Sequence, residues 1–89
     1  MTLFERELTR SADLVPVVSR TVTAVGYDSA RRVLTVAFKN ERMYDYYGVP
    51  RWLHEAIIRA QPHPWSCWGR DVRSYPVRLV AAPHHEVRM

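Results

Sequence analysis

The hydrophobic period changes at Gly48-Val49-Pro50, and that change dictates more of the fold than any other stretch of the chain. Before it, Tyr44 and Tyr46 stand two residues apart, so on an extended strand both rings lie on one face. After it, Leu53, Ala56, Ile57 and Ala60 recur at i, i+3, i+4 and i+7, the stripe of an amphipathic helix. Trp52 flanks the stripe, and His54, Glu55 and Arg59 face the other way. Gly48 frees the backbone to turn, while Pro50 has the fixed φ and missing N–H that suit a helix's first turn. The helix has to stop by Gln61, because Pro62 and Pro64 cannot continue it. A helix over residues 51–60 is marginal alone and must lay its stripe against a sheet.

The sheet is encoded upstream. Thr21 to Tyr27 is rich in β-branched residues and ends at a polar turn, Asp28 to Arg32. Val33 to Phe38 follows, with Leu34, Val36 and Phe38 as its heavier face; Lys39 to Arg42 is a second turn and Met43 to Tyr47 a third strand. Links this short cannot return a parallel strand, so the arrangement is an antiparallel meander. Hairpin register decides where the tyrosines go. A two-residue turn, Asn40-Glu41, exposes them beside Ala37 and Thr35. A three-residue turn, Asn40-Glu41-Arg42, sets Phe38 opposite Tyr44 and Val36 opposite Tyr46 on the core face. Glutamate tolerates the left-handed conformation of a two-residue turn poorly, which favours the longer turn and partly buried tyrosines. His63 to Arg70 carries two tryptophans and a cysteine with no regular period. Asp71 to Val80 is a candidate last strand in which Pro76 marks an edge or a break. The expected fold is a single α+β domain over residues 1–89: a three-stranded antiparallel meander, one helix packed on a face, and a candidate C-terminal strand. Residues 1–15 read as an arm and 81–89 as a flexible tail.

Several residues carry a family pattern. Val17-x-Ser19, Val25-Gly26-Tyr27-Asp28, Leu34-x-Val36-x-Phe38, Tyr44-x-Tyr46-x-Gly48-Val49-Pro50 and Val72-Arg73-x-Tyr75 together resemble the KTSC domain, with a core over residues 16–75. That small bacterial and phage domain is named from the C-terminus of some lysyl-tRNA synthetases and also stands alone. The resemblance implies no established active site; it implies RNA binding, an idea drawn from the synthetase fusion. The chain departs from the pattern at Glu41, where a hairpin glycine is common. It departs again at Trp65 to Gly69, which replaces a Gly-x-Tyr/Phe-Phe-Asn stretch, with Trp68 at the aromatic position and Gly69 at the asparagine.

Composition narrows the function further. No apolar run approaches the roughly 20 residues that cross a bilayer. The N-terminus lacks a secretion signal's layout, and one cysteine makes no internal disulfide, so a cytoplasmic location is expected with no membrane partner. His63, Cys67, His84 and His85 lack the paired spacing of a zinc site, so neither a metal nor a cofactor is expected. Cys67 has no orienting acid in view, and Asp28, Asp45 and Asp71 show no distinguishing spacing. With three glycines the chain has no phosphate-cradling loop, and no catalytic residues are expected.

The net charge is +4, and twelve of the thirteen basic residues are arginine. Guanidinium groups bind phosphates bidentately and stack on bases; a GC-rich genome also produces such a skew. Arg42, Arg70, Arg73 and Arg78, with Tyr44, Tyr46, Trp65 and Trp68, form the candidate site for single-stranded or structured RNA, or single-stranded DNA. Tyr27 belongs to the same aromatic set. The alternative is a protein-interaction module, of phage or mobile-element origin, anchored by the Trp65–Trp68 segment.

Overall fold

The computed structural model describes residues 13–82. In chain order these form β1 (Val15–Pro16), β2 (Val22–Asp28), β3 (Val33–Phe38), β4 (Met43–Tyr47), α1 (Arg51–Arg59), α2 (Pro64–Val72) and β5 (Val77–Ala81). The five strands make one antiparallel sheet in the order β1-β2-β3-β4-β5. The α+β class and the central meander are as expected; the candidate C-terminal strand forms as β5 at one edge, β1 is added at the other, and a second helix precedes β5. Val15 and Ala81, placed by sequence in an arm and a tail, are paired strand residues. The rest of those segments, residues 1–12 and 83–89, lie outside the described residues.

Local chemistry explains each hairpin. Between β2 and β3, the Asp28 carboxylate accepts from the Ala30 and Arg31 amides at 3.1 and 3.2 Å, an Asx turn that reverses the chain. Between β3 and β4, Phe38 N–H donates to the Arg42 carbonyl at 2.9 Å, and Val36 faces Tyr44 while Leu34 faces Tyr46. The loop is therefore Lys39-Asn40-Glu41, three residues as favoured by sequence but displaced by one, with Glu41 in the left-handed position at φ 71°. That displacement shifts the opposed pairs by two residues along β4. Parity survives, so the tyrosines still share the face of Leu34 and Val36.

A bulge at Thr23 exposes that side chain and lets Val22, Val25 and Tyr27 join the same face. Both helices cover it. Val22, Val25, Leu34, Val36 and Tyr46 from the sheet meet Val49, Leu53, Ile57 and Val72 in one core. Gly48 turns the chain at φ 80° with open space where a Cβ would sit, so its backbone angle alone calls for glycine. Pro50 is the N-cap of α1 with extended ψ, one position before the first turn where sequence placed it. Leu53 and Ile57 are buried as the stripe requires. His54 is not turned to solvent: it is half-buried and stacks on Tyr27 at 4.9 Å between centroids, 10° from parallel. The Tyr27 hydroxyl donates to the Val49 carbonyl at 2.6 Å, fixing the corner between β4 and α1 to the sheet.

The irregular-looking His63–Arg70 stretch is largely helix. Pro64 starts α2 at its first position, where a missing N–H costs nothing. Pro64, Trp65, Trp68, Gly69 and Val72 form its inward side, and Asp71 and Val72, read as strand, complete it. At the end of α1, the Gln61 side chain accepts from Val18 N–H at 2.8 Å and donates to the Ile58 carbonyl at 2.9 Å. It thereby ties the segment before β2 to the helical layer.

Candidate nucleic-acid interface

Gly69 sets the position of the central side chain. A Cβ there would lie 2.9–3.0 Å from Cε2, Cδ2 and Nε1 of Trp65, so the indole rests directly on the bare helix backbone one turn on. From that seat Trp65 meets Phe38 edge-on at 5.1 Å and Tyr46 at 6.3 Å, and Phe38 meets Tyr44 edge-on at 5.8 Å. Aromatic rings from β3, β4 and α2 thus form one cluster at the hairpin end of the sheet. The Arg73 guanidinium lies over the indole at 5.8 Å, a cation–π pair just beyond the end of α2.

Trp65 stands where three hollows meet. The first, about 260 Å³, is lined by Phe38, Asn40, Tyr44, Tyr46, Trp65 and Arg73. The second runs along α2 past Ser66, Cys67, Arg70 and Arg73, with Asp71 as its one acid. The third lies between the segment Ser19-Arg20-Thr21 and the start of α2. Arg20, Arg70 and Arg73 therefore surround a half-buried indole, an arrangement able to take a flat ring beside a negative charge.

Of the residues singled out by sequence, Tyr44, Tyr46, Trp65, Arg70 and Arg73 are brought together. Arg42 lies at the adjacent hairpin with the strand parity of Tyr44, its amide donating to Asn40 Oδ1 at 3.0 Å. Tyr46 is only 5% exposed and belongs to the core, so it cannot offer a ring face to a base. Burial pushes its phenol above the ordinary range, the Tyr44 phenol adds to this, and Arg73 opposes it; the hydroxyl stays protonated. Two residues are placed elsewhere. Trp68 turns toward α1 and meets Trp52 edge-on at 6.0 Å. Arg78 sits opposite Asp45 on the other face of the sheet, where Thr35 donates to Asp45 at 2.6 Å. Tyr27 is committed to His54 and Val49.

Phe38, Asn40, Arg20 and Thr21 complete the surface and were not among the sequence candidates. Phe38 was legible as the last residue of a heavy strand face; nothing local marks Asn40 or Arg20. Cys67 is exposed on α2. No group of three metal-ligating side chains occurs among the described residues.

The sequence model of the KTSC domain family matches residues 18–66, which include β2 to α1 and the first turn of α2. The crystal structure of a KTSC domain protein from Yersinia pestis superimposes with a TM-score of 0.72 at 24% identity, covering 78% of this chain and 97% of that one. At that identity the likeness establishes the fold. No curated protein matches the sequence.

Proposed function

This chain belongs to the KTSC domain family, and on that premise we propose that it is a small cytoplasmic module that binds single-stranded nucleic acid without catalysing a reaction. One observation supports the reading above the others. Arg73 lies over Trp65 at the mouth of an aromatic hollow, with Arg70 on the same side of α2. A base stacks against Tyr44 beside the edge of the indole, and the strand's phosphates run past Arg70 toward Arg20. Arg42 extends the positive surface at the hairpin. Aromatic stacking is sequence-tolerant because every base has a π face, and it contributes about 1–3 kcal/mol per base. No helix among the described residues is long and apolar enough to cross a membrane.

Fluorescence anisotropy with short labelled RNA and DNA strands, at two salt concentrations, tests the proposal. Affinity should fall as salt rises. If Arg70 neutralises one phosphate, the Arg70→Ala variant should have a log–log salt slope shallower by about 0.7. Trp65→Ala should lose affinity at both salts. Absence of association at low salt would refute the proposal. A second reading rests on Trp52, which is 55% exposed against Trp68 and fits the hot spot of a protein interface. Binding to a protein partner that is lost on Trp52→Ala and depends little on salt would favour it.

A further inference from the structure

Building on the nucleic-acid reading above, we propose that the hollow beside Trp65 takes a guanine base and reads its O6/N7 edge. The hollow, about 260 Å³ and open on one side, is walled by Phe38, Tyr44, Tyr46 and Trp65, which leaves its polar rim to Asn40 and Arg73. Both present donors. The Asn40 carbonyl oxygen already accepts from the Arg42 amide at 3.0 Å, so the NH₂ group is the end of that amide left to a ligand. The hairpin also fixes the amide's orientation through the same bond. Arg73 has N–H groups only, and a guanidinium lying over an indole still has its planar edge to give. The tyrosine hydroxyls donate or accept equally and add no preference.

A rim of donors selects an edge of acceptors. Guanine has two acceptors side by side, O6 and N7, with no donor between them. Adenine sets an amino donor beside N7, and cytosine presents an amino donor; either would face a donor with a donor. Arginine forking onto O6 and N7 is the commonest specific contact between a side chain and a base. In this reading Tyr44 supplies stacking to any base, the indole edge packs beside it, and Asn40 and Arg73 decide which base remains longest.

The test uses the whole chain and short oligouridylates carrying one central guanine, hypoxanthine, 7-deazaguanine or adenine, read by anisotropy at low salt. Guanine and hypoxanthine share O6 and N7, so they should bind alike, with adenine weaker by on the order of tenfold and 7-deazaguanine between them. Asn40→Asp keeps the acceptor for the Arg42 amide but replaces the donor, so the guanine-to-adenine ratio should fall to one or below. Arg73→Lys keeps the charge, loses the fork and should narrow the same ratio; far-UV circular dichroism confirms that each variant is folded. Equal binding of guanine and adenine strands would overturn this inference and leave the binding function standing. So would a preference unchanged in both folded variants. No binding of any strand would overturn both.

Discussion

Gly69→Ala is the sharpest test of how the aromatic cluster is held. Ordinarily the change stabilises a helix interior by about 1 kcal/mol, because alanine loses less backbone entropy. Here the new methyl would stand 2.9 Å from Trp65 Cε2 and 3.0 Å from Cδ2 and Nε1, closer than carbon atoms pack. The indole has little room to retreat, with Phe38 at 5.1 Å, Tyr46 at 6.3 Å and Arg73 over its face. Overpacking of this kind costs about 1–3 kcal/mol, so the net change is a loss of about 1 kcal/mol. In a Trp65→Ala background the clash is gone, and the same Gly69→Ala change should gain about 1 kcal/mol. The two changes are therefore coupled by about 2 kcal/mol. Urea denaturation followed by far-UV circular dichroism on the four proteins of the cycle measures this. A gain of equal size in both backgrounds would refute the claim that the indole rests on Gly69.

The other predictions concern the core, the hairpin and pH. Leu53 and Ile57 are 0% and 1% exposed, so Leu53→Ala and Ile57→Ala should each lower the stability measured by urea by about 2–5 kcal/mol. Glu41 occupies a left-handed position at φ 71°, so Glu41→Gly should raise stability by about 0.5–1 kcal/mol, visible as a higher Tm. Burial holds the His54 imidazole below the usual histidine range, with Glu55 opposing, so the unfolded chain takes up that proton first as pH falls. Stability is then complete above the unfolded value of about 6.5 and declines as pH drops from there to the lower folded value. His54→Phe, which keeps a ring against Tyr27, should flatten that part of the profile in urea midpoints; an unchanged slope would assign the proton to another group.

The sequence by itself determined the elements whose signals are local. Alternation in β3 and β4, the turn chemistry of Asp28 and the helical stripe from Leu53 to Ala60 each depend on neighbours a few residues apart. Even the side of the sheet taken by Tyr44 and Tyr46 was legible, because either placement of a three-residue loop preserves strand parity. The second helix was obscured by its own chemistry: Pro64 and Gly69 read as breakers, although one occupies the first helical position and the other receives an indole. The period of Trp65, Trp68, Gly69 and Val72 was the signal that identifies it. Only the tertiary structure decided which arginines and aromatics share a surface. Arg73 and Arg78 are five residues apart in sequence, yet α2 carries one to Trp65 while pairing with Asp45 turns the other to the opposite face. Arg20, Asn40 and Trp65 meet because strand pairing and helix packing close long loops, and a local period holds no record of which distant residues that closure brings together.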